Sequence, residues 1–229
     1  MPRRRGDTAR APVEVGLRSC NRDPSDSPGD ARARTRAARE EHRVGLRLAR
    51  AMLARRTGCD PARIRTGRSP HGRPLVIAPA NARDLRVSVA HADGLVLCAI
   101  AEGIPIGADL ESLRRVGPDP LGIAEVACTE QERRELRRTP ADLRAIRLLE
   151  LWTVKEALAK AVGLGVGLEF SKLEVARTSA NAARVRWRLD SRDERTLWRV
   201  LTWRPSERHV AAIAIHVAGG LRCDGEEAA

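Results

Sequence analysis

The sequence predicts an α+β fold built from two lobes of similar size, and three observations lead there. Its periodic segments are segregated: a helix pattern, a block of short alternating runs, a pair of helix starts, then alternating runs again, rather than strands and helices in strict turn. Its 229 residues are enough for two lobes of about 100 residues, each able to bury a core. Its hydrophobic content of 42%, raised by 18 glycines, falls in the ordinary globular range and excludes a wholly disordered, collagen-like or fibrous chain. The expected boundaries are an arm over residues 1–30, a first lobe over 31–112, a second over 113–219 and a tail over 220–229.

Taken in order, residues 1–30 are rich in Arg, Pro, Asp and Ser and show no apolar period, so they read as an arm without regular structure. From Ala31 to Arg56, Val44, Leu48 and Met52 recur every four residues with Leu46 and Leu53 beside them, a helix that Gly58 can stop. After a loop containing His71-Gly-Arg-Pro74, three runs, Leu85–Ala90, Leu95–Ala101 and Ile104–Leu110, are separated by the short turn-prone links His91–Gly94 and Glu102–Gly103. Thr129-Glu-Gln-Glu132 is a capping box opening a short helix to Arg138. Thr139-Pro-Ala-Asp142 reads as a second cap, opening a long helix that ends at Gly163. Beyond Gly167 the strand-like runs are Leu173–Val175, Arg184–Leu189, Leu197–Trp203 and Val210–Val217. Trp187, Trp198 and Trp203 fall within them as packing residues. The joint between lobes falls near Glu111–Asp119, where Gly117-Pro118 breaks the pattern.

Composition narrows the function classes. No apolar run approaches the roughly 18 residues of a membrane helix, and the charged N-terminus is not followed by the apolar core of a secretory signal, so the expected location is cytoplasmic. Five cysteines (Cys20, Cys59, Cys98, Cys128, Cys223) with no C-x-x-C pair describe neither a disulfide framework nor a zinc site. The net charge of +12 is uneven, with 15 arginines against 7 acidic residues in positions 1–56, which suggests an anionic partner. One Phe, four Trp and no Tyr leave few stacking platforms for single-stranded nucleic acid. Lysine occurs only at 155, 160 and 172, so the two within six residues call for a local reason.

Three constellations could carry chemistry. In Ile104-Pro-Ile-Gly-Ala-Asp-Leu-Glu111, strand alternation puts Ile106, Ala108 and Leu110 on one face and Asp109 and Glu111 on the other. Two adjacent carboxylates repel unless a cation sits between them, and a hard divalent ion suits the pair; a solvent-facing strand end is the plainer alternative. In Leu151-Trp-Thr-Val-Lys-Glu-Ala-Leu-Ala-Lys160, residues Trp152, Glu156 and Lys160 share one helix ridge with Lys155 adjacent. Apolar flanks imply partial burial, which makes Glu156 a candidate general base or metal ligand. In Val87-Ser-Val-Ala-His-Ala-Asp93, His91 stands where a strand gives way to a turn, and Arg73 sits in a rigid G-R-P loop able to aim a guanidinium at a phosphate. A row of Arg39, Arg43 and Arg47 adds a cationic stripe to the first helix.

The order of these elements, namely GRP, V-S-V-A-H, I-G-A-D-L-E, C-T-E-Q-E and W-T-V-K-E-A-L-A-K, resembles the Sfp-type 4′-phosphopantetheinyl transferases over residues 40 to 175. That resemblance implies two pseudo-twofold-related α+β lobes with coenzyme A in the cleft between them. It implies Mg²⁺ held by Asp109, Glu111 and Glu156, with Glu156 also deprotonating the serine of an acidic acyl or peptidyl carrier protein. Lys160 would neutralise phosphate charge, while Arg43, Arg73, His91 and Lys155 would join it in binding the coenzyme, all within a monomer. The chain departs from the pattern at Ala90, where the family has a serine, and at Cys128, where it has an aromatic. The competing reading, a basic nucleic-acid-binding protein using the first helix, leaves the carboxylates and paired lysines without a role.

Overall fold

The computed structural model describes residues 13–20, 31–69, 74–163, 169–179, 182–187 and 198–216. The chain order is β1 (Val13–Ser19), α1 (Ala31–Thr57), β2 (Arg65–Arg68), β3 (Pro74–Ala78), β4 (Leu85–Ala92), β5 (Leu95–Glu102), β6 (Ile106–Ser112), α2 (Pro120–Ala127), α3 (Glu130–Arg138), α4 (Ala141–Val162), β7 (Leu173–Ser179), β8 (Ala182–Trp187), β9 (Trp198–Ser206) and β10 (His209–His216). Helices and strands are segregated, as an α+β fold requires.

Two antiparallel sheets lie between two helices. The first has the order β1-β5-β4 and the second β6-β10-β9-β8-β7, with β2 and β3 forming a separate hairpin. β5 is buried along its whole length except Glu102 because both its faces are covered. One face, with Val96, Cys98 and Ile100, packs on Leu48, Met52 and Leu53 of α1. The other, with Leu97, Ala99 and Ala101, packs on Ile106, Ala108, Leu110, Ala211 and Ile213 of the second sheet. The far side of that second sheet packs on α4, where Val154, Ala157, Leu158 and Ala161 meet Leu173, Val200, Ala212 and Ala214. Among the described residues no helix is long and apolar enough to cross a membrane.

Several sequence expectations are corrected here. The stretch 1–30 is not wholly an arm: β1 pairs antiparallel with β5 from Val13↔Ala101 to Ser19↔Leu95. Gly16 is what lets it lie against α1, since a Cβ there would meet the Met52 sulfur at 2.7 Å. The boundary at 112/113 separates partners, because β6 is hydrogen-bonded to β10 from Ile106↔Ile215 to Ser112↔His209. α2 starts directly after the expected joint; its N-cap Asp119 accepts from the Gly122 N–H at 2.9 Å, and Pro120 follows at N1. Thr139 does not cap the long helix. It closes α3, donating its hydroxyl to the Glu135 carbonyl, and α4 starts after Pro140 without a side-chain cap.

Other elements stand where the pattern put them. The capping box Thr129–Glu132 is formed with both bonds present, and Gly163 ends α4 in the left-handed conformation at φ 84°. Trp198 is buried, and Trp203 packs half-buried between the sheets. The side chain of Trp187, the strand ends at Leu189 and Val217, Cys223 and the 220–229 tail lie outside the described residues.

Among the described glycines, the tightest approach is at Gly107, where α4 lies on β6. A Cβ built on Gly107 would collide with the Ala157 carbonyl oxygen and with the Ala161 nitrogen, both backbone atoms that cannot swing aside. Gly107→Ala is therefore expected to push α4 off β6, lowering stability by about 3 kcal/mol. Denaturant unfolding monitored by circular dichroism checks this; a loss below about 0.5 kcal/mol would show that the contact yields freely.

Candidate active site

The alternation of β6 decides what each side chain meets. Ala108 and Leu110 enter the layer between the sheets, so Gly107, Asp109 and Glu111 fall on the side that carries α4. Because Gly107 admits the helix backbone, Asp109 comes within reach of its last turn: Lys160 Nζ donates to Asp109 Oδ1 at 2.6 Å. Asp109 is 4% exposed, and its Oδ2 is buried with no hydrogen-bond partner. Glu111, two residues on, is paired only loosely with Arg115 at 3.5 Å. Glu156, one turn before Lys160, is half-buried.

These three carboxylates repel one another. Burial, followed by the Asp109 charge, pushes the Glu111 carboxyl up to about 7. Glu156 is raised for the same two reasons, with Lys160 pulling the other way. Among the described residues, no group of three Asp, Glu, His or Cys side chains is placed to hold a metal ion. What the cluster offers is hard oxygen donors, one of them the buried and unpartnered Asp109 Oδ2. Mg²⁺ fits such a donor set, since it takes one or two carboxylates and completes its shell with water and phosphate.

Two hollows flank the cluster. A cleft of about 330 Å³ runs between α1, β2–β4 and the end of α4, and four of its lining residues are basic: His42, Arg68, His91 and Lys160. A second hollow of about 240 Å³, beside Glu111 and Arg115, is walled by the apolar groups Val116, Ile123, Leu148, Leu149 and Trp152.

His91 lies at the end of β4 rather than in the turn, and its Nδ1 is 2.9 Å from Glu41 Oε2 on α1. Ala90 points the other way, 4% exposed in the layer between the sheets, where a larger polar group would be buried. The cleft instead carries Ser88, whose Oγ accepts the Ala108 N–H at 2.9 Å and ties β4 to β6. Arg68, His42, Glu41 and Ser88 escaped the sequence reading, although the H-R pair on the first helix and the V-S-V strand were visible signals.

Arg43 and Lys155 are corrected. Arg43 is 68% exposed and paired with Glu40 at 3.5 Å; it is absent from the cleft lining, where α1 presents His42, Leu46 and Ala49. Glu40 also pairs with Arg47 at 2.9 Å, which makes this part of the cationic stripe a solvated face. Lys155 is fully buried. Its three N–H donors go to Glu132 Oε2 at 2.5 Å, the Ala127 carbonyl at 2.8 Å and the Phe170 carbonyl at 2.9 Å, so none remains for a coenzyme. It caps the C-terminal end of α2 and, through Glu132, whose Oε1 accepts the Val175 N–H at 2.9 Å, fastens α4 to α3 and β7. Cys128 is buried beside this network, its thiol pushed up to about 11 chiefly by burial. Arg73 and the rest of the H-G-R stretch lie outside the described residues.

Two outcomes follow from these environments. Lys155→Met leaves the Glu132 carboxylate buried without its counter-charge and is expected to cost about 3–5 kcal/mol, read by urea unfolding; an unchanged midpoint with weakened coenzyme binding would return Lys155 to the ligand site. Glu111 has a folded pKa above its unfolded value, so its protonated form contributes stability that is present below the usual carboxylate range and lost as pH rises through about 7. In metal-free buffer at pH 8, Glu111→Gln is therefore expected to be more stable than the parent by about 2 kcal/mol, with no gain at pH 4. Thermal melts across that range decide it; equal melting temperatures at pH 8 would contradict it.

Comparison with known proteins finds 4′-phosphopantetheinyl transferases among those similar to this chain. The family model described as the 4′-phosphopantetheinyl transferase superfamily matches residues 105–214, the stretch that runs from β6 to β10. The 4′-phosphopantetheinyl transferase HetI of Nostoc sp. is 27% identical over 179 residues, covering 76% of this chain and 72% of its own. A 4′-phosphopantetheinyl transferase of Bacillus subtilis is 28% identical over 132 residues, covering 58% of this chain and 56% of its own. A solved holo-(acyl-carrier-protein) synthase from Bacillus anthracis, in complex with CoA (3′,5′-ADP), overlaps 49% of this chain and 96% of its own at 21% identity, with a TM-score of 0.42. By its motifs, its matched segment and its relatives, the chain is similar to the 4′-phosphopantetheinyl transferase superfamily over residues 105–214, just under half of its length.

Proposed function

We propose that this protein transfers the 4′-phosphopantetheine group of coenzyme A to a serine of an acyl or peptidyl carrier protein. The observation that carries the reading is the cluster of Asp109, Glu111 and Glu156 beside Lys160, set between a basic cleft and an apolar hollow. Phosphoryl transfer needs positioning and charge neutralisation more than a protein nucleophile, and that is what these residue types supply.

In this reading the basic cleft takes the nucleotide phosphates, with His91 and Lys160 as contacts and Arg73 as a further phosphate ligand. Asp109, Glu111 and Glu156 would hold Mg²⁺, which when bound would supply positive charge to the pyrophosphate. Glu156 accepts the proton of the carrier serine, directly or through a water. The serine oxygen forms a bond to the β-phosphorus, the bond from that phosphorus to the bridging oxygen breaks, and adenosine 3′,5′-bisphosphate leaves with the electron pair. Lys160, released from Asp109, follows the charge growing on the phosphate oxygens. The net charge of +12 suits an acidic carrier steered by long-range attraction, and the hollow beside Glu111 offers its helix an apolar seat. One copy of the chain holds every group invoked, which favours a monomer. Four of the cysteines are free thiols, in keeping with a cytoplasmic setting.

The test is incubation with coenzyme A, Mg²⁺ and an apo carrier protein, read by intact mass. A phosphopantetheine mass gain is expected for the parent, and a loss of at least about 100-fold in rate for Asp109→Ala and for Glu156→Gln. No gain across fatty-acid, polyketide and peptide-synthetase carriers would refute the proposed activity; full activity in either variant would remove that residue from the site.

A further inference from the structure

Glu41 lies on α1, 50 residues before His91, and no motif of the chain includes it. Its carboxylate is 8% exposed as a side chain, and two groups from the β4–β5 hairpin converge on it. The Gly94 backbone N–H donates to Oε1 at 2.6 Å, and the His91 ring stands against Oε2 with Nδ1 at 2.9 Å. A backbone N–H can only donate, and an ionised carboxylate can only accept, so the ring proton resides on Nδ1. Nε2 is then the nitrogen left for a ligand, on a side chain that lines the basic cleft opposite Lys160. The turn that supplies Gly94 is itself pinned: Asp93 adopts φ 46° and Gly94 φ 86°, the Asp93 carboxylate accepts the Ser112 hydroxyl at 3.2 Å, and Arg114 pairs with it at 3.4 Å.

From this arrangement we infer that Glu41 is a positioning residue for anion binding, holding the His91 imidazole with Nε2 toward the phosphate-binding cleft. A phosphate oxygen arriving at Nε2 completes a chain in which the ring bridges two anions, donating from Nδ1 to Glu41 and from Nε2 to the phosphate. Freed from Glu41, the ring would be able to rotate about its side-chain bonds, and ordering it again would be charged to each binding event. This inference rests on the proposed use of the cleft for coenzyme A. The hydrogen bond it depends on exists without any ligand.

Glu41→Gln is the informative change because it is isosteric but provides one acceptor oxygen where two donors converge. It leaves either the Gly94 N–H or the His91 N–H facing an amide NH₂. In Glu41→Gln the KM for coenzyme A is expected to rise about tenfold with kcat within about twofold. In the double variant with His91→Ala, KM should be no higher than in His91→Ala alone, since Glu41 acts only through the ring. Imidazole ¹⁵N NMR of the ligand-free protein gives a readout separate from catalysis: His91 Nδ1 should show the protonated-nitrogen shift in the parent and lose that fixed assignment in Glu41→Gln.

Unchanged KM together with an unchanged His91 spectrum would overturn the inference, as would additive effects in the double variant. If Glu41→Gln fails to fold, the parent spectrum alone decides, and an unprotonated Nδ1 there overturns it. Loss of transfer by the parent itself would strike the proposed function and leave the ring assignment standing, so the two failures are told apart.

Discussion

The contact on which the site depends is the seating of α4 on β6 across Gly107. Main chain touches main chain there, with no side chain between them. The separation is thereby fixed by hard-sphere packing, which yields far less than a rotamer does. Asp109 and Lys160, 51 residues apart in sequence, meet at 2.6 Å because of it. A site assembled across two elements needs such a rigid reference, since catalytic groups placed an ångström apart from their working positions lose most of their effect.

The same seating gathers negative charge at a place where stability alone would disperse it. Asp109 retains a buried oxygen without a partner, and Glu111 is held up to about 7 by burial and by its neighbour. Elsewhere the protein treats buried charge differently: Lys155 and Glu132 satisfy each other and four backbone groups. The contrast between a saturated pair and an unsaturated cluster on neighbouring parts of the same helix separates structure from function more sharply than burial does. One lysine of the W-T-V-K-E-A-L-A-K segment is a rivet, and the other reaches the carboxylate cluster at Asp109.

How far the sequence revealed this depended on the range of the interactions. Local patterns were legible: the Thr129–Glu132 box, the stop at Gly163, the alternation that puts Asp109 and Glu111 on one face. β1 was hidden because Val13, Val15 and Leu17 are too few to mark a period among arginines, prolines and serines, and its strand character comes from the β5 edge about 80 positions later. α2 could have been read from Asp119 and Pro120, but Gly117-Pro118 drew the eye to a linker. The burial of Lys155 could not be read from helix spacing, which places residues on ridges without saying which ridge meets the core. Glu41 and His91 were illegible as a pair for the same reason: only the packing of α1 on β4 joins them.

β1 also changes what the N-terminal residues mean for the molecule. With β1 in place, β5 is an interior strand, paired on both sides. A chain beginning after residue 30 would keep every group of the carboxylate cluster, yet it would turn β5 into a bare margin with a free row of amides and carbonyls. Such a margin recruits other strands, so β1 moves the free edge of the sheet from the apolar β5 to a strand that carries Glu14 and Arg18.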